Sequence, residues 1–598
     1  MSSDYTCIVA AFDFGTTYSG YAFSLKESPT DVKTNEKWYA SSGLLVSLKT
    51  PTCVLLNEAG EFLSFGFDAE EKYYSLTGEE KHHRWRLFSR FKMALHNEKV
   101  ISHSTTIEDL QGKPHPAKPI FIMSIRYLQQ HLLKTLELRY TGIKESDIKY
   151  IITVPAIWGI AAKQFMREAA IEAGIDSKRL KLALEPEAAA IWSESLGHTL
   201  EGQKFLVVDI GGGTADISAH QKMSDGSLKN IHAPSGGPWG GIYVDENFLK
   251  FIRSIFGENS LESLKSDDMY DFIEILRDFE MKKRKFKFDS NDGIIFRIPI
   301  ALKAFAEKHF HLSLLDRLKS LNYGDEVYLR SQDKLGVNSS VMQRWFAEPV
   351  SKMVEYIQNI IQEERNEDLS LIILVGGFAE SPYVQQRIQE ALPDKRLIVP
   401  GEAGLAVLKG AVMFGRKPDI ISSRVMDCTY GIKVRAYYRE NLYPVEKKEF
   451  IDGEWRVRNV FEIFLRINED VPLDSKVTHT NFSRKSKKNA GIPIYRTKEK
   501  NPVYVTDRGC ELLGQLKLQY DKDTPLGTKD IEVTFMFGDT ELHVMAKDTS
   551  TGIMRQNQHS NSESEASVSR RDETDVSNTN IQRGCHLGSE PKMNYLIE

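Results

Sequence analysis

The stretch Cys7-Ile-Val-Ala-Ala-Phe-Asp-Phe-Gly-Thr-Thr17 is a short apolar run that ends in an aspartate, a glycine and two threonines. Such a run, bounded by turn residues, predicts a buried β-strand followed by a loop. The same order of residue types returns in Phe205-Leu-Val-Val-Asp-Ile-Gly-Gly-Gly-Thr214. Because Asp13 and Asp209 hold corresponding places in the two stretches, we predict a protein built from two related halves.

Further apolar strands alternate with helical segments. Tyr150-Ile-Ile-Thr-Val154 leads through a proline into a segment with helical periodicity. Leu371-Ile-Ile-Leu-Val375 runs into two glycines, and a helix is predicted to begin at Pro382. Strands that alternate with helices in this way favour an α/β layered fold.

The composition excludes several classes of protein. The chain has 598 residues, with 78 Lys and Arg against 83 Asp and Glu and a net charge of −5, so no strong positive field would attract nucleic acid. The sequence lacks a run of about 18 apolar residues, so we predict no membrane span. The five cysteines lie far apart and form no C-x-x-C pair, which favours a reducing compartment, either cytoplasmic or nuclear.

The pattern changes at about residue 420 to short alternating stretches broken by turn residues, such as Ile531-Glu-Val-Thr-Phe-Met536. This pattern predicts a small all-β module, to which we assign residues 419–553, after an α/β domain in residues 1–418. Residues 554–598 are polar and carry too little apolar surface to offset the entropy of folding. We therefore predict a disordered tail.

The two aspartate-glycine loops have the chemistry of phosphate clamps. Glycine lets backbone N–H groups approach phosphate oxygens closely, and threonine hydroxyls add further donors. Asp13 and Asp209 could together hold a hydrated Mg²⁺, which prefers carboxylates, retained waters and substrate phosphates. The sequence has neither G-x-x-x-x-G-K-[ST] nor G-x-G-x-x-G, so the folds built on those motifs lose support. For either loop alone, a tight turn with a structural role is the alternative.

Several motifs together resemble those of the seventy-kilodalton heat-shock chaperones. Phe12-Asp-Phe-Gly-Thr-Thr-Tyr-Ser19 is similar to the family's first phosphate motif, Val208-Asp-Ile-Gly-Gly-Gly-Thr-Ala-Asp216 to its second, and Leu374-Val-Gly-Gly-Phe378 to its adenosine motif. Thr153-Val-Pro-Ala-Ile-Trp158 and Ala162-Lys-Gln-Phe-Met-Arg167 are most similar to the divergent heat shock 70 kDa protein 12A and 12B branch. The likeness extends from about residue 5 to about residue 553.

The resemblance implies an actin-like (ribonuclease H-like) ATPase domain of two lobes, with ATP or ADP and Mg²⁺ in the cleft between them. It also implies that the all-β module is a β-sandwich similar to the substrate-binding domain of these chaperones. The chain passes from the last predicted strand into the polar tail, so we expect no helical lid of the usual length. A pocket without a lid is expected to release a bound peptide quickly.

The family's roles for the phosphate end of the nucleotide can be placed residue by residue. Asp13 and Asp209 match the carboxylates that organise the metal through its waters, and Glu185 matches the acid near the metal and the hinge. Lys92 is the candidate for the lysine that orients the attacking water and the γ-phosphate, with a solvated surface lysine as the alternative. The residues that match the phosphate loops are Gly15, Thr16, Thr17 and Tyr18 in the first and Gly211, Gly212, Gly213 and Thr214 in the second.

The resemblance also implies an adenosine site. One part is a helix whose acid binds ribose and whose basic residues flank adenine, although a solvated basic helix face is the alternative. The family has an arginine that stacks on the base, whereas this chain has Glu380 at that place, which predicts weaker or differently arranged adenine binding. The residues that match the adenosine site are Glu280, Lys283, Arg284, Gly376, Gly377 and Phe378.

Two hypotheses for the function follow. The first is an ATP-binding, chaperone-like protein that couples Mg-ATP binding and slow hydrolysis to the binding of a partner or peptide by the β-module. The alternative is a nucleotide-dependent scaffold or adaptor with little or no ATPase turnover. Client polypeptides or signalling proteins are the expected partners, with co-chaperones as further ones. The carboxylates and Thr214 favour the first hypothesis, whereas Glu380 and the missing lid favour the second.

Overall fold

A computed structural model of the chain shows two compact units. The first unit comprises residues 1–158, 165–228 and 234–420, and the second comprises residues 159–164, 229–233 and 421–598. Within these ranges the structure describes residues 7–35, 38–39, 46–97, 101–102, 104–288, 293–451, 453–484, 489–519, 531–537, 540–549, 552–558 and 595–597.

The chain contains both strands and helices up to residue 420. The strands are β1 Ile8–Phe14, β2 Tyr18–Leu25, β3 Ser28–Thr34, β4 Trp38–Tyr39, β5 Val46–Ser47, β6 Thr50–Pro51, β7 Cys53–Leu56, β8 Phe62–Phe65, β9 Arg86–Ser89, β10 Thr106–Glu108, β11 Pro114–Pro116, β12 Ile148–Val154, β13 Leu180–Leu184, β14 Lys204–Ile210, β15 Ala215–Lys222, β16 Leu228–Gly237, β17 Ile294–Arg297, β18 Val327–Ser331, β19 Lys334–Val337, β20 Leu371–Val375 and β21 Arg396–Ile398. The helices are α1 Phe67–Gly78, α2 Ala94–Asn97, α3 Ala117–Arg139, α4 Ile160–Ala173, α5 Glu185–Ser195, α6 Gly241–Phe256, α7 Glu258–Asp267, α8 Met269–Lys285, α9 Ile300–Phe310, α10 Leu314–Ser320, α11 Ser339–Ile361, α12 Pro382–Ala391 and α13 Ala406–Arg416. The predicted strand β20 and the predicted helix α12 are confirmed.

The first large sheet has the strand order β13-β12-β1-β2-β3, and β6 pairs with β2. Its central strand β1, which the opening stretch of sequence predicts, runs parallel to β12 and antiparallel to β2. Every residue of β1 is buried, as its continuous apolar run requires. The end of a buried strand therefore carries the first aspartate-glycine loop.

A second sheet repeats this arrangement. Its strand order begins β21-β20-β14-β15, where β14 runs parallel to β20 and antiparallel to β15. In both sheets the aspartate strand has its hairpin partner on one side and a parallel strand on the other. The repeated topology agrees with the predicted two related halves.

Helix α5 begins where β13 ends, and this places Glu185 at the edge of the first sheet. Pro186 lies in the first turn of α5, where a missing backbone N–H costs nothing. The same helix packs closely against α13, because a Cβ atom at Gly410 would overlap the carbonyl oxygen of Ala188. The glycine thus sets the distance between two helices that cover the sheet.

The second unit is built from strands around an apolar core. The main sheet has the order β24-β25-β23-β33-β27-β30-β31-β32, with β28 paired to both β23 and β29. On β23, Ile432, Val434 and Ala436 are buried, whereas the residues between them are half-buried, as one apolar face of a strand requires. The strands are β22 Ile421–Val425, β23 Thr429–Tyr437, β24 Lys448–Ile451, β25 Glu454–Leu465, β26 Asp470–Pro472, β27 Lys476–Arg484, β28 Asn489–Thr497, β29 Glu511–Gln519, β30 Ile531–Met536, β31 His543–Asp548, β32 Met554–Gln558 and β33 Tyr595–Ile597.

Two strands fall within residues 554–598, for which the sequence predicts disorder. Strand β32 pairs antiparallel with β31, and β33 lies between β23 and β27. The prediction does not hold for these two stretches, because their pairing with distant strands cannot be deduced from local composition. Residues 559–594 and 598 lie outside the described residues.

The length and polarity of the helices can be compared with what a membrane span requires. In the described part of the chain, every helix is too short or too polar to cross a bilayer. The longest helices, α3 and α11, have 23 residues each, and both carry charged residues along their length.

Gly410→Ala is expected to destabilise the protein. The added methyl group would push α13 away from Ala188, and overpacking of this kind costs about 1–3 kcal/mol. Gly78→Ala, at the end of α1, is the matched control, because the space around that position is open and alanine is preferred in helices by roughly 0.5–1 kcal/mol. Urea unfolding should move the two midpoints in opposite directions. Equal midpoints would contradict the close crossing of the two helices.

Candidate functional site

Asp13 and Asp209 lie at equivalent places in the two sheets. Each is the last residue but one of its strand, and their exposures are only 6% and 7%. Asp13 is paired with Gly20 across the hairpin, and Asp209 is paired with Asp216. The structure brings the two predicted aspartates close enough for the charge of Asp13 to raise the pKa of Asp209.

Lys92 lies in the same buried region as these aspartates. It belongs to the short 3-10 helix Phe91–Met93, and it is 3% exposed. Its Nζ donates to Glu185 Oε1 at 2.7 Å and lies 5.2 Å from the ring centre of Trp158. Lys92 is therefore a buried, paired lysine and not a solvated surface one.

Lys49 is a second lysine in this region, and no sequence motif marks it. Its Nζ donates to Asp13 Oδ2 at 2.5 Å, while the hydroxyl of Thr153 donates to Asp13 Oδ1 at 3.1 Å. Burial raises the pKa of Asp13, but the charges of Lys49 and Lys92 outweigh this effect, so the pKa of Asp13 is lowered. Asp13 thus stays ionised at neutral pH.

Burial and mutual repulsion raise the pKa values of the other carboxylates. Burial raises the pKa of Glu185 to about 7, against the lowering effect of the Lys92 charge. Burial, together with the charges of Glu185 and Asp216, holds the pKa of Asp209 well above its ordinary value. Burial also raises the pKa of Asp216, although the hydroxyl of Thr214 donates to it at 2.8 Å. Carboxylates that repel one another in this way favour the binding of a cation.

The two predicted phosphate loops approach each other closely at the glycines of the second loop. A Cβ atom at Gly212 would lie 2.6 Å from the side chain of Thr17, and one at Gly213 would lie 2.9 Å from Thr16 Oγ1. The hydroxyl of Thr16 donates to the sulfur of Met93 at 3.9 Å. A side chain larger than hydrogen would clash there, so the glycines allow the two loops to lie close together.

The donor set suits a hydrated divalent cation. Among the described residues, no group of three or more His, Cys, Asp or Glu is arranged to hold a metal ion. Mg²⁺ commonly keeps several waters and takes one or two carboxylates together with phosphate oxygens. The residues fit an ion held through water by Asp13 and Asp209, beside two further buried carboxylates that add negative charge.

The predicted adenosine helix ends in a cluster of charges. Lys283 Nζ lies 2.6 Å from Glu280 Oε2 and 2.5 Å from Asp245 Oδ1, and Arg284 donates to Glu280 Oε1 at 2.7 Å. The guanidinium of Arg284 lies 5.4 Å from the ring centre of Tyr18. With an exposure of 6%, Lys283 is not part of a solvated basic face. The structure thus brings this helix end to the first phosphate loop.

Arg90 and Asp245 join this cluster to the segment that carries Lys92. Arg90 Nη2 donates to Asp245 Oδ2 at 2.7 Å. Arg90 has a φ of 56°, a left-handed conformation that is uncommon outside glycine, directly before the 3-10 helix. The sequence alone does not reveal this pair, because its members lie on different elements and belong to no motif.

The predicted adenosine motif forms a tight turn after β20. Gly376 has a φ of 90°, and a Cβ atom there would overlap the carboxylate of Asp209. The backbone N–H of Phe378 donates to the carbonyl oxygen of Ile210 at 2.9 Å. The space around Gly377 is open. The turn is therefore tied to the second predicted phosphate loop.

Glu380 stands where the family has its stacking arginine. Its Oε1 accepts a hydrogen bond from the backbone N–H of Gly404 at 3.3 Å. The carboxylate therefore holds a neighbouring turn, the short 3-10 helix Ala403–Leu405. No planar cation is supplied at this position.

The repeated sheets and the facing glycine loops, which share a cluster of carboxylates and lysines, define the class of actin-like two-lobed α/β folds that bind nucleotides. Comparison with known proteins agrees. The chain is 32% identical to human Heat shock 70 kDa protein 12A over 91% of this chain and 90% of that protein. It is 31% identical to human Heat shock 70 kDa protein 12B over 91% and 89% of the two chains. It is 25% identical to Chaperone protein DnaK of Thermosipho melanesiensis over 91% and 78%.

The chain belongs to the heat shock 70 kDa protein family, in its divergent 12A and 12B branch. The resemblance stated from the motifs is thereby confirmed. Residues 198–399 also match a family described as Domain of unknown function (DUF8340). Homology to this family implies an actin-like, two-lobed fold and places the chain in a nucleotide-binding, chaperone-like family.

Glu280→Gln is expected to lower the melting temperature at pH 7 and to have less effect in acid. The charges of Lys283 and Arg284 outweigh the raising effect of burial and lower the pKa of Glu280 to about 2, from an ordinary value of 4.5. A lowered pKa stabilises the fold above the ordinary value, and that stability is lost as the pH falls towards the lowered one. Partly exposed ion pairs contribute about 0.2–1 kcal/mol, or roughly 1–3 °C.

Thermal unfolding of wild type and Glu280→Gln from pH 7 down to about pH 3 tests this expectation. The difference between the two melting temperatures should narrow below about pH 4.5. Glu348→Gln, which removes an exposed pair with Lys352, is the control and should have little effect at any pH. A difference that stays constant from neutral to acid pH would contradict the ionic role of Glu280.

Proposed function

We propose that this protein binds Mg-ATP, hydrolyses it slowly to ADP and phosphate, and couples this cycle to the binding of a partner or peptide by residues 419–553. The observation that carries the proposal is the buried ion pair of Lys92 and Glu185, which lies beside Asp13 and Asp209 at the two glycine loops. Membership of a family with nucleotide-binding, chaperone-like members supports it.

The charges of the site suit phosphoryl transfer. This reaction depends on positioning and on stabilisation of developing charge more than on covalent chemistry. The side chain of Lys92 lies in a buried place where water would screen its charge little, so it would orient the attacking water and the γ-phosphate. Glu185, with a pKa of about 7, can hold or release a proton near neutral pH. Mg²⁺, held through water by Asp13 and Asp209, would neutralise phosphate charge.

The nucleoside end of the ligand is assigned to the charged end of α8 and to the turn after β20. Glu280 stays ionised in the physiological range, because the pKa of its carboxyl is lowered to about 2, so it can accept hydrogen bonds from ribose hydroxyls. Lys283 and Arg284 would flank the base. Gly376 and Phe378 hold the turn against the second phosphate loop, which supports a single site for both ends of the nucleotide.

The alternative is a nucleotide-dependent scaffold or adaptor with little or no turnover. Glu380 favours this alternative, because its carboxylate is engaged with Gly404 and cannot stack on the base as an arginine does. Such a protein would change its partner affinity on binding ATP or ADP alone, by linkage. A measurement of ATP hydrolysis in a single turnover would distinguish the slow ATPase from the scaffold.

The strand β33 supports the proposal that the second unit binds extended peptides. β33 lies between two other strands, antiparallel to β23 and parallel to β27. Leu596 is paired with Arg435 on one side and with Ser483 on the other. An extended segment added as a strand is held by backbone hydrogen bonds and does not require one sequence. Other polypeptides could therefore occupy the same place.

The proposed partners are client polypeptides or signalling proteins, with co-chaperones as further partners. We propose a cytoplasmic or nuclear location. The thiols of Cys7, Cys53, Cys428 and Cys510 are free in the described part of the chain, as is usual in a reducing compartment.

Asp209→Asn is expected to slow single-turnover hydrolysis of Mg-ATP at least roughly tenfold, because it removes one of the two carboxylates that would organise the metal. The measurement mixes excess protein with labelled ATP and follows the formation of ADP. Asp316→Asn, at an exposed position in α10, is the control and should leave the rate unchanged. An unchanged rate in Asp209→Asn would refute the assignment. A wild type that binds ATP without hydrolysis would establish the scaffold alternative.

Leu596→Pro is expected to increase the affinity of the full chain for an extended apolar peptide. Proline has no backbone N–H and is poorly accepted within a sheet, so the variant should vacate the place of β33 and remove an internal competitor. Fluorescence anisotropy of a labelled peptide should show an affinity about threefold higher or more. Leu596→Ile, which keeps a strand-forming residue, is the control and should bind as wild type. Equal affinities in all three proteins would show that no peptide competes with β33.

A further inference from the structure

Lys49 lies on a segment that is fixed to the first phosphate loop. Three residues further along, the backbone N–H of Thr52 donates to the carbonyl oxygen of Thr17 at 2.8 Å, and its hydroxyl donates to the carbonyl oxygen of Gly15 at 2.7 Å. The Lys49 side chain is 17% exposed, and its Nζ is 2.5 Å from Asp13 Oδ2. The ammonium group therefore stands at the loop on a well-anchored backbone.

The sheet explains how Lys49 reaches Asp13. Asp13 is paired with Gly20 across β1 and β2, and Ser19 is paired with Thr50 across β2 and β6. Lys49, the residue before Thr50, thus lies beside Gly20. A Cβ atom on Gly20 would lie only 3.0 Å from Lys49 Cγ. The missing side chain of Gly20 opens the path along which the lysine crosses to the aspartate.

The second half of the domain has a different residue at this place. Asp209 is paired with Asp216 where Asp13 is paired with Gly20. Asp216 is 1% exposed and accepts hydrogen bonds from the hydroxyl of Thr214 and from the backbone N–H of Ile157. The first half therefore has the cationic side chain of Lys49 beside its aspartate, whereas the second half has a second acid, Asp216, at the equivalent place.

We propose that Lys49 is a phosphate-binding residue that contacts the phosphate oxygens of a nucleoside di- or triphosphate. An ammonium group has three N–H donors, and the one hydrogen bond that the described residues offer to Nζ is to Asp13. Two donors remain for a phosphate at the adjoining loop. This inference rests on the proposed binding of nucleotide by the first unit, and it adds a residue that the family motifs do not mark.

Each of the two lysines of the site is paired with a different carboxylate. Lys92 is bound to Glu185 with its side chain 4% exposed, whereas Lys49 is bound to Asp13 and is more accessible. Lys49 also lowers the pKa of Asp209, which shows that its charge acts on both aspartates. Because a fixed ammonium can neutralise phosphate charge without a metal ion, nucleotide binding should survive in part when Mg²⁺ is removed.

The test measures the affinity of the full chain for ADP by calorimetry, once with excess Mg²⁺ and once with excess EDTA. In EDTA, Lys49→Met should bind ADP about tenfold more weakly than wild type or worse, a loss typical of a charge-assisted hydrogen bond. In Mg²⁺ the loss should be smaller, because the metal ion neutralises the same phosphates. Lys49→Arg keeps a cation and should retain most of the affinity in EDTA. Lys319→Met, which removes an exposed pair with Asp316, is the matched control.

Gly20→Ala provides a second test that leaves both charges in place. The added methyl group would displace the Lys49 side chain, so ADP binding in EDTA should weaken in the same direction as in Lys49→Met. In the double variant, Gly20→Ala should cause no further loss, because both changes act through one side chain. Thermal unfolding verifies that each variant is folded.

The outcomes separate this inference from the function on which it rests. A wild type that fails to bind ADP in Mg²⁺ overturns the proposed nucleotide binding itself. A wild type that binds, with Lys49→Met unchanged in EDTA, overturns only the role of Lys49. An equal loss in Lys49→Met and Lys319→Met also overturns it, because it would reflect general surface charge.

Discussion

The first unit has one main electrostatic constraint, which is that four carboxylates from β1, α5, β14 and β15 are buried close together. Asp13, Glu185, Asp209 and Asp216 are each at least nine-tenths buried, and buried ions are costly unless they are paired. Two lysines neutralise only part of this charge. The backbone N–H groups of the glycine loops favour anions, and a hydrated cation bound at the site would complete the balance. The proposed ATPase function therefore depends on how this charge is compensated.

The two halves of the unit have different residues beside their buried aspartates. Each has an aspartate at the same place in a strand with the same neighbours, so the scaffold is duplicated. Gly20 and Asp216, which are equivalent in the two hairpins, then decide what each half contributes. Because Gly20 has no side chain, the side chain of Lys49 can reach Asp13. In the other half, the carboxylate of Asp216 adds a second acid beside Asp209. The duplicated topology alone would not supply this difference between the two halves.

The sequence predicts the parts of this site that local patterns determine. Apolar runs that end in Asp13 and Asp209 predict the two strands and their loops, because a buried strand and a glycine turn are encoded by adjacent residues. Lys92 is a candidate from its sequence context, and its Nζ donates to Glu185 in the structure. Lys49 is missed, because its position depends on the register of three strands and on the small size of a glycine on another strand. Pairing between distant residues also explains why strand β33 could not be predicted.

The ion pairs around Asp245 connect the proposed adenosine residues to the proposed catalytic lysine. The carboxylate of Asp245 accepts from both Arg90 and Lys283, and Lys283 is also paired with Glu280. Arg90 lies two residues before Lys92 and adopts a left-handed backbone conformation, which the surrounding contacts must hold in place. A ligand that draws Lys283 away would leave Asp245 more strongly bound to Arg90. Through Asp245, the end of α8 is therefore joined by ion pairs to the segment that carries Lys92, which places the proposed adenosine residues and the proposed catalytic lysine in one connected cluster.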